Sequence, residues 1–425
     1  MNTRLISVDS NHYMADRERP SWLDRLARSI VLSKLEDLAM GQIVITENGE
    51  HTTYGRLTDE YPLTAHVQIR DPKFYSDIAF GGSIGAGEAY INGYWSSNEL
   101  SDLLRIIVRN RSVLENMDSG LATLSKPLQK VLHACNKNTR KGSRKNIAAH
   151  YDLGNDFYRL WLDEKMMYSS AYFETSETSL EDASIEKLDR ICRKLDLSAD
   201  DRVMEIGTGW GGFAIHAAKH YGCHVTTTTI SKQQFEWAKR AIRAEGLEDR
   251  ITLLFEDYRD LRGQFDKLVS IEMIEAVGHR FHSTYFRKCC ELLKPDGQML
   301  LQAITIADQN FDSYKNSVDF INRYIFPGGC LTSVTDMTQT LTRHTDMRVL
   351  HIEDIGPHYA TTLRHWHDRF MARLDEVIAQ GYPDTFIRMW QFYLAYCEAA
   401  FLERAIGDVQ MLMMRPDARR DSIQY

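Results

Sequence analysis

Residues 201–212 read D-R-V-M-E-I-G-T-G-W-G-G, and the fold turns on how this stretch is understood. Val203, Met204 and Ile206 form an apolar run broken by one acid, Glu205, and four glycines follow within six positions. Such a run, closed by turn residues, is the pattern of a strand buried on both faces of a parallel sheet. The glycines predict a sharp turn in which the backbone takes positive φ and approaches a ligand with no side chain between them. Residues 213–220 continue as a helix, so the turn aims amide groups at whatever binds. The spacing G-T-G-W-G-G is not the G-x-G-x-x-G of dinucleotide-binding folds.

Working outward, residues 223–230 (C-H-V-T-T-T-T-I) form a β-branched second strand, Ser231 caps a helix to about Glu245, and residues 251–255 form a third strand ending in Glu256-Asp257-Tyr258. Two such βαβ steps predict half of a doubly wound sheet, with its ligand crevice at the carboxyl ends of the strands. Strands are expected at 265–271, at 298–304 after the turn Lys294-Pro295-Asp296-Gly297, at 347–355 and at 409–414, with a helix over 281–293. Helices over 358–379 and 383–406 hold Trp366, Phe370, Trp390, Phe392, Tyr393, Tyr396 and Phe401, either as core or as the wall of a tunnel.

Toward the N-terminus, residues 1–19 are polar, and Ser21 caps a helix whose apolar positions (Trp22, Leu23, Leu26, Ile30, Leu35, Leu38) run up to Gly41. That stripe either packs on its own domain or rests on a membrane. Strands are expected at 43–45, 66–69 and 75–80, separated by Asn48-Gly49, Asp71-Pro72 and Gly81-Gly82, before a helix over 96–109. The organisation is therefore a small α+β domain over 1–110, a basic helical linker over 111–145 and the sheet domain over 146–425. Between Gly120 and Tyr151 there is no acid, while Lys126, Lys130, Lys137, Arg140, Lys141, Arg144 and Lys145 fall there. This is a solvated linker or a patch for anionic lipid head groups.

The 425 residues carry a net charge of −8, which argues against nucleic acid as a partner. No apolar run approaches the roughly 20 residues that cross a bilayer, and the first residues lack the apolar stretch of a secretory signal. Seven scattered cysteines suit a reducing cytoplasm, and neither they nor His279 and His282 have metal-ligand spacing.

With E-I-G-T-G-W-G-G, T-I-S-K-Q-Q, E-D-Y-R-D and E-M-I-E-A-V-G in this order, the chain resembles the S-adenosylmethionine-dependent methyltransferases of the cyclopropane fatty acid synthase family. N-I-A-A-H-Y-D-L-G-N-D-F-Y (146–158), M-Y-S-S-A-Y-F (167–173) and Y-I-F-P-G-G-C-L (324–331) share the likeness. It implies a class I methyltransferase (Rossmann-like) sheet with extra helices, acting at the inner face of the membrane on unsaturated phospholipid. The substrate's cis double bond attacks the methyl, and loss of a proton from that methyl closes a cyclopropane. The rival outcome is C-methylation without ring closure, and a lipid-binding relative without catalysis is a third. A homodimer is compatible with the reading.

The resemblance assigns the cofactor to Tyr168, Ser169, Glu205, Gly207, Gly209, Gly211, Thr229, Gln234, Asp257 and Tyr258. Family members hold a bicarbonate as base, gripped by Cys, Glu, His, Tyr and a main-chain amide. Glu275, Tyr359 and the Ile304 amide stand at three of those places, but the Cys is Ser170, the His is Gln302, and the His after the glutamate is Ala276. Hydroxyl and carboxamide still donate to an oxyanion, yet neither titrates near neutrality. Cys397 matches a cysteine once taken as catalytic, but on a helix with aromatic neighbours it reads rather as a packed core thiol.

Overall fold

The computed structural model of the chain describes residues 21–110, 142–143, 146, 153–420 and 422–423. The polar N-terminus and the basic residues of the linker lie outside them. The chain divides into two compact units, Met1–Leu124 and Ser125–Tyr425.

In the first unit, α1 (Trp22–Leu35) starts where Ser21 and Asp24 close a capping box, and it ends a turn before the Gly41 that marks its expected limit. Strands β1 (Gly41–Glu47), β2 (Glu50–Arg56), β3 (Thr64–Ile69) and β4 (Trp95–Ser97) form a sheet in the order β2-β1-β3-β4, accompanied by helices α2 (Lys73–Ile91) and α3 (Leu100–Arg109). Strand β2 has no apolar alternation to announce it. Its hairpin turn specifies it instead: Asn48 and Gly49 take φ of 53° and 88° and pair Glu47 with Glu50. Residues 75–80, expected as a strand, lie within α2. Phe74, Tyr75, Ile78 and Ala79 are all buried on one side of it, a helical rather than an alternating spacing. Gly85 is required there, since a Cβ would stand 1.9 Å from the Asp77 carbonyl oxygen.

The second unit is built on α4 (Leu180–Leu195), β5 (Arg202–Ile206), α5 (Gly212–His220), β6 (His224–Thr228), α6 (Lys232–Ala244), β7 (Ile251–Leu254), β8 (Phe265–Ile271), α7 (His282–Leu292), β9 (Leu293–Ile306), α8 (Val334–His344), β10 (Arg348–Asp354), α9 (Gly356–Ala372), α10 (Asp384–Leu402) and β11 (Ile406–Met414). The sheet order is β10-β11-β9-β8-β5-β6-β7. Strands β5 to β9 pair in parallel, and β11 runs antiparallel to both of its neighbours.

Adjacent residues of one strand enter opposite cores. Val203 packs with Leu188, Ile191 and Phe213 from α4 and α5, while Met204 packs with Tyr285, Phe286 and Leu341 from α7 and α8. Both faces are thus covered by helices, which is why β5 reads as a continuous apolar run. From β5 the order steps one way to β6 and β7 and the other way to β8 and β9. This switch point opens a crevice at the carboxyl ends of the strands.

Candidate active site

Four consecutive strand ends build the crevice: residues 206–210 after β5, 228–230 after β6, 256–259 after β7 and 271–273 after β8. Gly207, Gly209 and Gly211 take φ of 105°, 53° and 98°, the left-handed region that side chains resist. A Cβ on Gly209 would meet no atom within 4 Å, so that position faces the open crevice, whereas a Cβ on Gly207 would stand 3.2 Å from the Met273 side chain. Thr229 donates to Gln234 at 2.9 Å, and Ser231 caps α6 through the Gln234 amide. Glu205 accepts from Thr227 at 2.5 Å, and burial raises its carboxyl to about 8. Asp257 is held in a fork by Arg259 at 2.6 and 2.7 Å beside Tyr258. Tyr168 lines the crevice and shares a 2.9 Å hydroxyl contact with Tyr393.

At the β8 end of the crevice stands a group of acids. Glu272, a non-glycine residue at φ 47°, accepts from the Ser170 amide at 2.8 Å, from Gln302 Nε2 at 2.8 Å and from the Tyr359 hydroxyl at 2.7 Å. Gln302 Nε2 also donates to Asp408 at 3.0 Å, and its oxygen accepts from Gln410 at 3.1 Å. Glu275 accepts the Ile304 amide at 2.6 Å through one carboxyl oxygen, while its Oε2 is buried without a hydrogen bond. Burial, then the nearby Glu272 charge, push Glu275 up to about 8, and burial raises Glu272 too, against the pull of its three donors and Lys187. Both residues keep some accessible surface, but their carboxyl groups are strongly desolvated. Lys187 is fully buried, donates to Ser169 at 2.8 Å and is lowered by desolvation to about 8.

Residues 138–411 match the mycolic acid cyclopropane synthetase family. The chain belongs to this family. It is 38% identical over 341 residues to the tuberculostearic acid methyltransferase UfaA1 of Mycobacterium tuberculosis, covering 79% of each chain. It is also 38% identical over 353 residues to the cyclopropane-fatty-acyl-phospholipid synthase of Escherichia coli, covering 83% of this chain and 88% of that one. The structure of a mycolic acid cyclopropane synthase, CmaA1, complexed with SAH and CTAB, superposes with a TM-score of 0.60 at 29% identity, covering 64% of this chain and 98% of that one. The sheet is therefore that of a class I methyltransferase, and this synthetase-family chain is an S-adenosylmethionine-dependent enzyme.

The crevice fits that cofactor. Tyr168, Ser169, Glu205, Gly207, Gly209, Thr229, Gln234, Asp257 and Tyr258 line it; Gly211 stands behind as the N-cap of α5. The base site departs from its expected form. Ser170, Gln302 and Tyr359 converge on Glu272 rather than serving a cage around Glu275, and Ser170 does so through its amide, its hydroxyl being given to the Ala171 carbonyl. Cys397, on α10, neither lines the crevice nor bonds this group, and burial raises its thiol far beyond the range of a nucleophile. A bicarbonate does not fit: the Ser170 and Ile304 amides, Gln302 Nε2 and the Tyr359 hydroxyl all serve carboxylates of the chain. Glu272 was legible in E-M-I-E-A-V-G as a second acid one helical turn before Glu275, but Lys187 and Asp408 carry no motif at all.

Proposed function

We propose that this methyltransferase family member acts on unsaturated fatty acyl chains of phospholipids, transferring a methyl(ene) group to the cis double bond and giving cyclopropane fatty acids. The observation that carries this reading is the acid group at the β8 end of a methyltransferase crevice, beside a wall of aromatic side chains. S-adenosylmethionine, when bound, supplies an electrophilic methyl. Gly207, Gly209, Thr229, Gln234, Asp257 and Tyr258 hold it, and Glu205, Gly211, Tyr168 and Ser169 shape its surroundings.

Tyr168 packs against Trp161, Trp366 and Phe326, with Tyr393 beyond, and these rings exclude the water that would quench a cation on the acyl chain. Trp161, Trp366 and Trp390 are closed on one another in this structure, so the aromatic helices serve as core next to the site. The names of the relatives, cyclopropane synthases and fatty acid methyltransferases, support an acyl substrate.

We place the reaction at the cytoplasmic face of the membrane, the protein being bound peripherally. Among the described residues no helix is long and apolar enough to cross a bilayer. Trp22, Leu23 and Leu26 of α1 are 67%, 39% and 50% exposed, while Ala27, Val31 and Leu35 are buried, which leaves an apolar strip for a lipid surface. A homodimer is compatible with this arrangement.

One observation favours a second outcome, C-methylation without ring closure: Gln302 cannot titrate, so the route of the proton differs from that of a histidine-bearing site. Mass spectrometry of lipids made with a deuterated methyl donor tests both. Ring and methylene products each keep two of the three donor deuteriums, so chain fragmentation separates them. A ring is expected; a methylene or methyl branch in its place would select the second outcome, and no labelled lipid would refute the acyl substrate.

A further inference from the structure

We infer that Glu272 is the proton acceptor of the reaction, a carboxylate built into the chain that makes a dissolved carbonate unnecessary. This rests on the function proposed above. In the step concerned, the double bond's electron pair forms the bond to the methyl as the carbon–sulfur bond breaks, leaving S-adenosylhomocysteine and a cation on the acyl chain. A proton then leaves the added methyl for Glu272, and the freed C–H pair closes onto the cationic carbon.

Position is the first support. Ile271, Glu272 and Met273 line the crevice at the switch point, whereas Glu275 does not. Backbone geometry is the second. A glutamate at φ 47° occupies a region that non-glycine residues avoid, and such conformations persist where the surroundings impose them, commonly at functional sites. Here the surroundings are three donors from three distant segments: the loop before α4, strand β9 and helix α9.

Occupancy is the third support. Oε1 takes the Ser170 and Gln302 donors and Oε2 takes Tyr359, while the Asp408 carboxyl also lies within hydrogen-bond reach of Glu272. The donors favour charge on Glu272. It accepts three, whereas the Glu275 and Asp408 side chains accept one each; burial raises all three carboxyls, and the Glu272 charge raises Glu275 and Asp408 further. Gln302, bonded to Glu272 and Asp408 at once, is a positioning residue.

The test uses the full-length protein with S-adenosylmethionine and vesicles of phosphatidylglycerol and phosphatidylethanolamine carrying cis-monounsaturated chains. Wild-type turnover to S-adenosylhomocysteine with labelled lipid establishes the reaction itself, so its absence would remove the substrate reading rather than the base. Given turnover, the rate in carbonate-stripped buffer should equal that with added bicarbonate; dependence on bicarbonate would overturn the inference. Glu272→Gln should lower turnover roughly 10²- to 10⁴-fold with S-adenosylmethionine affinity unchanged by calorimetry, and a folded variant with normal turnover would also overturn it. Glu272→Gly suits the local φ and vacates the carboxylate. Carbon-13 NMR of labelled bicarbonate should show binding to this variant and none to wild type, and bicarbonate or formate should restore part of its rate. Equal bicarbonate binding by both proteins would mean that carbonate sits elsewhere and that Glu272 does not replace it.

Discussion

The Tyr359 hydroxyl donates to Glu272 Oε2 at 2.7 Å, joining residues 87 positions apart at the β8 end of the cofactor crevice. The bond favours the ionised form of Glu272. Tyr359→Phe should therefore raise the proton affinity of Glu272 and move the acid limb of the pH–rate profile upward by about one unit. Turnover at neutral pH should fall roughly tenfold, with cofactor affinity unchanged. An unmoved acid limb in a folded Tyr359→Phe protein would show that Glu272 is not the titrating base.

Gly209 takes φ 53° with open space where a Cβ would lie. Gly209→Val puts a branched side chain into the crevice where backbone and ligand approach, and it should abolish calorimetric binding of S-adenosylmethionine. Because the side chain meets no protein atom within 4 Å, the cost to the fold is confined to the strained backbone of one turn. Retained affinity in the variant would place the cofactor elsewhere.

Glu275 makes stability depend on pH in a direction fixed by its surroundings. Its carboxyl is raised from 4.5 to about 8, so across that interval the unfolded chain ionises while the folded one stays protonated. The folded state then binds more protons, and stability declines with rising pH by up to about 1.4 kcal/mol per unit. Glu275→Gln has nothing to ionise and its side-chain oxygen can still accept the Ile304 amide. Its melting temperature relative to wild type should climb from about pH 5 to pH 8 and stay level at lower pH. A constant difference across that range would mean that the group ionises freely in the folded protein.

Neutralising Arg140, Lys141, Arg144 and Lys145 together should weaken co-sedimentation with anionic vesicles and flatten its salt dependence. Turnover of detergent-dispersed lipid should stay near that of wild type. Replacing Trp22 and Leu26 with serine should weaken vesicle binding without changing its salt dependence, because the contact is apolar. Equal sedimentation of both variants and the wild type would remove the membrane from the account of these segments.

Much of this was readable from local chemistry. A strand buried on both faces needs a continuous apolar run, and a ligand-contacting turn needs glycine, so residues 201–212 announced β5, the crevice and its place in the sheet without reference to the rest of the chain. Ser231 and Ser21 announced their helices because a cap bonds within one turn. Where local signals were weak the reading failed: β2 is polar on both faces and rests on a two-residue turn, and α2 is so rich in glycine and small residues that its period is blurred. The base site lay beyond any local signal. E-M-I-E-A-V-G offers two acids three positions apart, and nothing in the motif says which of them will receive donors from residues 170, 302 and 359. A carboxylate's charge is set by burial and by groups brought to it from other segments. The residue types able to do the chemistry were therefore determined by the sequence itself, while the choice of Glu272 over Glu275, and the recruitment of Asp408 and Lys187, were decided only when β8, β9, β11, α4 and α9 were packed against one another.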